Sequence, residues 1–202
     1  MKKIAVYCGS STGSIGIYRE QAAQLGRYLA EKGIHLVFGG GKVGMMGILA
    51  DAALKAGGKV TGVIPGFLHI KEVAHPGLTE IITVETMHER KALIEKMCDA
   101  AIALPGGFGT LDELFEMLTW GQLGLHDKPV GILNTNGFYD QILAAVDRMV
   151  EEGFLKDLNR DMLLVSEQME ELFERMINYS PPSVRKWIMN GDPDKDIPFK
   201  GA

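Results

Sequence analysis

Hydrophobic and polar positions along this chain form two alternating kinds of segment. Short runs rich in Val, Ile and Ala are typical of strands buried on both faces, and longer segments repeat apolar residues at helical spacing. The predicted strands are Ile4–Cys8, His35–Phe38, Val60–Ile64, Glu80–Val84, Ala100–Leu104, Val130–Asn134 and Leu163–Val165. The predicted helices are Tyr18–Lys32, Gly44–Ala56, Met87–Cys98, Leu111–Leu123, Tyr139–Glu152 and Met169–Asn178. This order predicts an α/β fold, a doubly wound Rossmann-like parallel sheet with helices on both faces.

Composition indicates how many domains the chain forms and which partners it can bind. The chain has 202 residues, of which 46% are apolar and 23% charged, as in an ordinary globular domain. We expect residues 1–180 to form one domain and residues 181–202, which contain four prolines, to form an appended tail. The formal net charge of -5 argues against a general nucleic-acid binder.

Cysteine and histidine usage points to a cytoplasmic protein without a metal site. Cys8 and Cys98 are the only cysteines, and the N-terminus lacks the apolar region of a signal peptide. The five histidines show no metal-ligand spacing, and no apolar run is long enough to span a membrane. We therefore predict a cytoplasmic location, no membrane partner and no metal.

Glycine-bearing turns follow three of the predicted strands. They are Gly9-Ser10-Ser11, Gly39-Gly40-Gly41 and Gly106-Gly107. Because ligands of doubly wound sheets lie outside the carboxyl ends of the strands, we expect the three turns to meet at one crevice. The third turn leads into a helix, whose free N–H groups and dipole favour an anion such as phosphate.

The second turn also begins a G-x-G-x-x-G pattern, Gly39 to Gly44. In a dinucleotide site this pattern should follow the first strand and precede an acidic residue some 20 positions on, and neither condition is met. NAD is therefore not expected. A tight turn that only brings helix and strand together remains an alternative at this position, and Met45, Met46 and Leu49 are most simply core residues.

Glu113, just after the third turn, has two interpretations. With Thr110 it fits a capping box, in which Glu113 would serve only its own helix. Alternatively it faces a ligand or a second subunit, because Glu113, Glu116 and Trp120 are predicted to share the side of the helix opposite its apolar stripe, Leu111, Leu114, Phe115 and Leu118.

Arg90 and Lys91 lie where the preceding helix should carry core residues. Both are also near the helix N-terminus, where the dipole disfavours positive charge. Such departures from patterning are expected at functional sites, although a structural salt bridge, such as Arg90 with Glu113 or Glu116, is the alternative. Glu89 forms a capping box with Thr86 and needs no further role.

Taken together, the motifs resemble the LONELY GUY family of cytokinin riboside 5'-monophosphate phosphoribohydrolases, from about residue 1 to 180. The resemblance rests on the Gly-rich run from Gly39 to Gly47, Met87-His88-Glu89-Arg90-Lys91, the string PGGFGTLDE from Pro105 to Glu113, and the segment 119–129. Phe108 stands where tyrosine is frequent in the family. Members were long described as lysine decarboxylases, but the sequence shows no lysine environment suited to pyridoxal phosphate.

The resemblance implies a nucleotide-binding hydrolase that needs no cofactor and cleaves the N-glycosidic bond of a nucleoside 5'-monophosphate to free base and ribose 5-phosphate. Its catalytic pair falls on Arg90 and Glu113. Its substrate contacts fall on Glu72, Arg90, Lys91, Gly106, Gly107, Phe108, Gly109, Thr110, Leu111, Asp112, Glu113 and Thr119. Further phosphate or ribose contacts are expected from Ser10, Gly39, Gly40 and Gly41.

The family is also dimeric or larger, with sites near the subunit interface, so a homodimer is expected. Base preference stays open between prenylated adenine, AMP and other nucleotides. A carrier or sensor that binds a nucleotide without cleaving it, or a broad purine and pyrimidine nucleotide hydrolase, remains an alternative.

Overall fold

Seven parallel strands form one sheet in the computed structural model, which describes residues 1–69 and 74–182. The strands are β1 Lys3–Tyr7, β2 His35–Phe38, β3 Val60–Pro65, β4 Glu80–Val84, β5 Ala100–Ala103, β6 Val130–Leu133 and β7 Leu163–Ser166. Their order across the sheet is β4-β3-β2-β1-β5-β6-β7. All seven predicted strands are confirmed, with each boundary within one residue of its predicted position.

Helices connect the strands. They are α1 Gly16–Glu31, α2 Gly44–Lys55, α3 Gly66–His69, α4 Met87–Met97, α5 Phe108–Gln122, α6 Asp140–Glu151, α7 Asp157–Arg160 and α8 Met169–Ile177. The six predicted helices are confirmed, whereas α3 and α7 were not predicted. Each of those two has only 4 residues, too few for a helical repeat of apolar positions to show.

The helices cover both faces of the sheet, as a doubly wound fold requires. Alternate residues of β1 point to opposite faces, so Ile4 and Val6 enter one core while Ala5 and Tyr7 enter the other. The first core is closed by α1, α2 and α8, and the second by α4, α5 and the start of α6. The predicted doubly wound parallel fold is confirmed.

The chain order reverses beside β1, and this reversal places the candidate site. From β1 the chain winds outward through β2, β3 and β4, then returns to β5 on the other side of β1. Tyr7 of β1 is in register with Ala103 of β5. Open α/β sheets bind ligands at such a switch point, outside the carboxyl ends of the strands.

Thr86 caps α4 as predicted. Its hydroxyl accepts a hydrogen bond from the Glu89 N–H at 3.1 Å. The Glu89 carboxylate accepts from the N–H of Glu85 at 2.9 Å, one residue before the cap. This double anchor fixes where α4 begins, three residues before Arg90.

Two predictions concern residues that lie wholly or partly outside the ranges that the structure describes. Glu72 lies outside them, as does the predicted tail from residue 183 onward. Within 1–69 and 74–182, no helix is both long and apolar enough to cross a membrane.

Candidate active site

The three glycine-bearing turns meet at one cleft of about 360 Å³, as predicted. Two backbone hydrogen bonds of 3.1 Å connect the turns: the Gly9 N–H donates to the Pro105 carbonyl, and the Met45 N–H donates to the Gly9 carbonyl. Gly9 therefore links the turn after β5 to the start of α2. Of the predicted site residues, those that line the cleft are Ser10, Gly39, Gly41, Arg90, Gly107, Phe108, Gly109, Thr110 and Glu113.

The start of α5 offers backbone donors to this cleft. The N-cap residue is Gly107, which has no side chain to satisfy the N–H groups of the first turn. A Cβ placed at Gly107 or Gly109 would find nothing within 4 Å, so the space before these amides is open. This arrangement suits an anion, which would accept hydrogen bonds from the amides and gain from the helix dipole.

The capping-box interpretation of Thr110 and Glu113 is wrong. Helix α5 begins at Phe108, three residues before the predicted start, so Thr110 lies inside the first turn and is buried. Its hydroxyl occupies the space where a Cβ at Gly106 would lie, and that Cβ would also approach the Gly9 nitrogen to 2.9 Å. A glycine is therefore required at position 106, because the chain passes close to both Thr110 and Gly9 there. Glu113 is left without a capping role.

The buried side of α5 differs from the predicted stripe. Thr110, Leu114, Met117 and Gly121 are the buried positions, spaced at i, i+4, i+7 and i+11. Glu113, Glu116 and Trp120 lie together along one flank of that stripe and are partly buried, rather than on the opposite side. The prediction that these three share a face holds, but the face adjoins α4 and the cleft.

Arg90 meets Glu113 across the two helices. Its Nη2 lies 3.5 Å from Glu113 Oε1, and both side chains are only 12% exposed. The Nε of Arg90 donates to the Val63 carbonyl of β3 at 3.2 Å. A Cβ at Gly39 would overlap Nη2, so the guanidinium needs a glycine at this end of β2.

The surroundings of Glu113 bring the pKa of its carboxyl close to neutral pH. Burial raises its pKa from 4.5 to about 7, because the ionised form loses its hydration. Arg90 and Lys91 favour ionisation, while Asp112 and Glu116 oppose it, and burial outweighs the nearby arginine. A group with this pKa can both hold and release a proton at neutral pH.

Tyr7 and Cys8, at the end of β1, line the same cleft as Glu113 and stay neutral at pH 7. Burial raises the pKa of the Tyr7 phenol and of the Cys8 thiol well above their ordinary values, and the Glu113 charge adds to both shifts. Among the described residues that line the cleft, only Arg90 and Glu113 carry charged side chains.

Lys91 is engaged by two carboxylates of α5. Its Nζ lies 3.0 Å from Glu116 Oε1 and 3.1 Å from Asp112 Oδ2, with the lysine side chain 12% exposed. Burial would lower the pKa of Lys91, but the hydrogen bonds to Glu116 and Asp112 raise it overall. Lys91 and Asp112, both predicted substrate contacts, are thus paired with each other beside the cleft and do not line it.

Gly40, Gly106, Leu111 and Thr119 also lie outside the cleft lining. The Thr119 hydroxyl donates to the Phe115 carbonyl of its own helix at 2.7 Å. It borders a separate hollow of about 150 Å³ between α5 and α6. Within one chain, the fold does not bring Thr119 to Glu113.

One wall of the cleft is apolar, and sequence reasoning missed it. Val43, Met46, Ile64 and Leu68 line this wall. Met46 was assigned to the core, yet it is only partly buried and faces the cleft as well as the core. At the mouth, the ring of Phe108 is 92% exposed. Apolar periodicity cannot separate a cleft wall from a core, so no signal in the sequence marked these residues.

Comparison with known proteins finds a matching family and related sequences. The model of a family described as "Possible lysine decarboxylase" matches residues 46–176. The chain is 44% identical over 193 residues to a probable cytokinin riboside 5'-monophosphate phosphoribohydrolase of Oryza sativa subsp. japonica, covering 93% of this chain and 79% of that protein. It is also 44% identical over 180 residues to a cytokinin riboside 5'-monophosphate phosphoribohydrolase of Arabidopsis thaliana, covering 89% and 84%.

A solved structure shares the fold. The molybdenum cofactor binding protein from the phototrophic bacterium Rippkaea orientalis superposes with a TM-score of 0.66 at 24% identity, covering 87% of this chain and 96% of that one. At this identity the likeness concerns the fold alone.

Proposed function

Because the chain belongs to the LONELY GUY family, we propose that it hydrolyses the N-glycosidic bond of a nucleoside 5'-monophosphate to free base and ribose 5-phosphate. The proposed substrates are cytokinin riboside 5'-monophosphate, AMP or both. The relatives that are 44% identical carry the name of this activity for cytokinin riboside 5'-monophosphate. The matching family is described as a possible lysine decarboxylase, but the described residues that line the cleft include no lysine to hold pyridoxal phosphate.

The observation that carries the proposal is the buried carboxyl of Glu113 beside Arg90 in the cleft. Cleavage of the glycosidic bond places positive charge on the ribose ring while the bonding electron pair leaves with the base. A carboxylate close to the ring stabilises that transition state more than the ground state. With a pKa of about 7, Glu113 can also accept a proton from the water that attacks C1'.

The first turn of α5 is proposed to bind the 5'-phosphate. Gly107 and Gly109 leave its amides open to the cleft. Binding the phosphate there fixes the ribose relative to Glu113, so that binding energy remote from the reacting bond is used for orientation.

Arg90 has two roles in this proposal. Its charge favours the ionised form of Glu113, and, since a guanidinium has five N–H donors, those not used by Val63, Met87 and Glu113 can donate to the leaving base. The 3.5 Å separation from Glu113 exceeds that of a tight charge-assisted hydrogen bond, which leaves room for adjustment when a ligand enters. The apolar wall of Val43, Met46, Ile64 and Leu68 is proposed to face the base.

We further propose a homodimer with sites near its interface. Large apolar side chains are exposed at and beyond the end of α5, where Leu123 is 60% and Leu125 69% exposed. If Thr119 contacts a substrate, it does so from a second copy of the chain, because it lies away from the cleft of its own chain. Light scattering after gel filtration tests the dimer.

A cytoplasmic location stays part of the proposal, since Cys8 and Cys98 are both buried free thiols.

A substrate panel tests the activity. Base release is measured by chromatography with AMP, isopentenyladenosine monophosphate, GMP, CMP and UMP, for the wild type and for Glu113→Gln and Arg90→Ala. We expect both variants to lose at least about 100-fold in kcat/KM. Glu174→Gln, on the exposed side of α8, is the matched control and should keep wild-type rates.

The panel separates the alternatives. Release from prenylated AMP or AMP alone supports the proposed substrates, whereas equal release from all five supports a broad nucleotide hydrolase. Binding of AMP in calorimetry without base release over hours would favour a carrier or sensor. Wild-type rates in folded Glu113→Gln and Arg90→Ala would remove these residues from the mechanism.

A further inference from the structure

We propose that His75 is a positioning residue, which fastens the glycine turn Gly39–Gly41 to α2 and thereby holds the backbone on which the Arg90 guanidinium lies. The inference rests on the proposed function for its kinetic consequences, whereas the contacts behind it do not depend on the substrate. It gives a role to a histidine that belongs neither to the sequence motifs nor to the cleft lining.

The backbone of the chain just before β4 is bound to this turn. The His75 N–H donates to the Gly40 carbonyl at 2.8 Å. Ala74 and Gly41 form an antiparallel bridge beside that hydrogen bond. The turn after β2 is therefore paired with the segment that carries His75, and a shift of that segment would move the turn.

The imidazole of His75 joins the same segment to helix α2. The side chain is only 7% exposed. Its Nδ1 accepts a hydrogen bond from the Gly77 N–H at 3.2 Å, so the ring proton lies on Nε2, which donates to Asp51 Oδ1 at 3.0 Å. Both ring nitrogens are thus satisfied, and a buried polar group with all its partners in place makes the surrounding chain more rigid.

Helix α2 is a suitable anchor because its own start is fixed to the site. The helix begins at Gly44, directly after the glycine turn, and the Met45 N–H donates to the Gly9 carbonyl at 3.1 Å. Asp51 lies about two turns farther along the helix. The turn is therefore bound to α2 twice, through the chain at the first turn of the helix and through His75 at its middle.

The position of the turn matters because Arg90 packs on it. A Cβ at Gly39 would overlap Nη2 of Arg90, so the guanidinium rests directly on the glycine backbone. The same Nη2 lies 3.5 Å from Glu113 Oε1. A displacement of the turn would change how Arg90 faces Glu113, and misplacement of catalytic groups by about 1 Å can cost on the order of 100-fold in rate.

His75 and Asp51 act from outside the cleft. Among the described residues, those that line the cleft include neither of them. The Asp51 side chain is 74% exposed. Substitution of Asp51 therefore removes a hydrogen-bond acceptor without opening a cavity in the core, whereas substitution of the buried histidine removes packing as well. Asp51 is the sharper test of the inference.

The deciding experiment compares base release by Asp51→Ala and Asp51→Asn. Both variants lose the charge, but the amide oxygen of asparagine can still accept from Nε2 of His75. We expect Asp51→Ala to lower kcat about tenfold with less than about a twofold change in KM, because the turn is loosened while the α5 amides stay in place. Asp51→Asn should keep at least about half of the wild-type kcat.

Substitutions of the histidine supply a rescue and a matched control. His75→Ala loses both contacts of the ring and should lower kcat more than Asp51→Ala does. His75→Gln keeps a donor that can reach Asp51 and should recover most of the lost kcat. The control is His35→Ala, because His35 is hydrogen-bonded to Thr61 at 2.8 Å at the ends of β2 and β3 opposite to the cleft. It should lose stability but keep the wild-type kcat.

NMR of the ligand-free protein reports on the same contacts without a substrate. The Arg90 Nε–H donates to the Val63 carbonyl at 3.2 Å, and its signal is assigned from its absence in Arg90→Lys. We expect this proton and the backbone N–H of His75 to exchange with water about tenfold faster or more in Asp51→Ala than in the wild type. Asp51→Asn should show wild-type exchange.

Three results would overturn the inference. Wild-type kcat and wild-type exchange in Asp51→Ala would mean that the turn is held without the His75 ring. Equal losses of kcat in Asp51→Ala and Asp51→Asn would mean that charge matters and the hydrogen bond does not. A loss in His35→Ala as large as that in His75→Ala would mean that stability alone is affected. If the wild type lacks the proposed hydrolase activity, the exchange measurement still decides whether His75 holds the turn.

Discussion

Replacing Glu113 by glutamine should stabilise the protein at pH 8 but not at pH 4.5, relative to the wild type. In the unfolded chain the carboxyl ionises with a pKa near 4.5, whereas burial raises the pKa in the folded protein to about 7. Between these values the unfolded chain has released its proton and the folded protein still holds it. The contribution of Glu113 to wild-type stability therefore falls as pH rises from 4.5 to 7 and is constant above that range.

The size of the effect follows from the shift. One pKa unit corresponds to about 1.4 kcal/mol, so a rise from 4.5 to about 7 makes ionised Glu113 cost about 3 kcal/mol of folding free energy at pH 8. Glutamine has nearly the shape of the protonated carboxyl and no proton to lose. The difference in unfolding free energy between Glu113→Gln and the wild type should then change by about 3 kcal/mol between pH 4.5 and pH 8.

Urea denaturation of both proteins, repeated at half-unit steps from pH 4.5 to pH 8, measures this difference. Other titrating groups affect the two proteins equally and cancel. Glu174→Gln on the exposed side of α8 is the control, and its difference from the wild type should stay within about 0.5 kcal/mol across the series.

A flat difference for Glu113→Gln over this range would refute the reasoning. It would mean that Glu113 is as well hydrated or as well paired in the folded protein as in the unfolded chain. Burial would then not control its proton, and the case for Glu113 as a proton acceptor near pH 7 would fail.

Three further substitutions test other contacts. Gly39→Ala should reduce kcat/KM on the order of 100-fold, because the new methyl group displaces the Arg90 guanidinium. Lys128→Met should lower the free energy of unfolding by about 2 to 3 kcal/mol in urea, because it strands the Glu95 carboxylate, which is 20% exposed and paired with Lys128. Phe108→Ala should leave the unfolding free energy within about 0.5 kcal/mol, since the ring is 92% exposed, but raise KM for the nucleotide several-fold.

The first two substitutions have a control, and all three have a contrary outcome. Gly16→Ala places its methyl group no closer than 3.8 Å to another side chain, so wild-type kinetics are expected, and equal losses in both glycine variants would contradict the Arg90 argument. Arg175→Met removes an exposed pair with Glu171, and a loss as large as that of Lys128→Met would show that burial does not strengthen the Lys128 pair. An unchanged KM in Phe108→Ala would exclude contact between this ring and the ligand.

Patterning predicted the sheet well because buried parallel strands are short, apolar and bounded by glycine turns. The same reasoning misplaced the start of α5, since Thr110 and Glu113 match a capping box by residue type alone. The helix begins earlier because Gly106 lets the chain pass close to β1, and Thr110 is buried beneath that glycine. Capping boxes depend on where the chain turns, which local sequence does not specify.

The candidate site was only partly predictable. Arg90 was singled out because a charge at a core-like position breaks the helical pattern, and Glu113 because it follows the third glycine turn and shares a helix face with Trp120. The family resemblance then joined the two as a catalytic pair. The partners of Lys91 and the apolar wall around Met46 depend on how α4, α5 and α2 are placed by the sheet, and this information is not local. Whether Glu72 and Thr119 contact the substrate stays a prediction.

The contacts of Arg90 determine how little the cleft has to reorganise when a ligand enters. Its guanidinium is held by the Val63 carbonyl of β3, lies against the bare backbone of Gly39 just after β2 and faces Glu113 on α5. Three separate parts of the scaffold thus restrict one flexible side chain before any ligand arrives. The rotamer entropy that a free arginine would lose on binding has already been lost during folding, so more of the ligand's interaction energy remains available for affinity and catalysis.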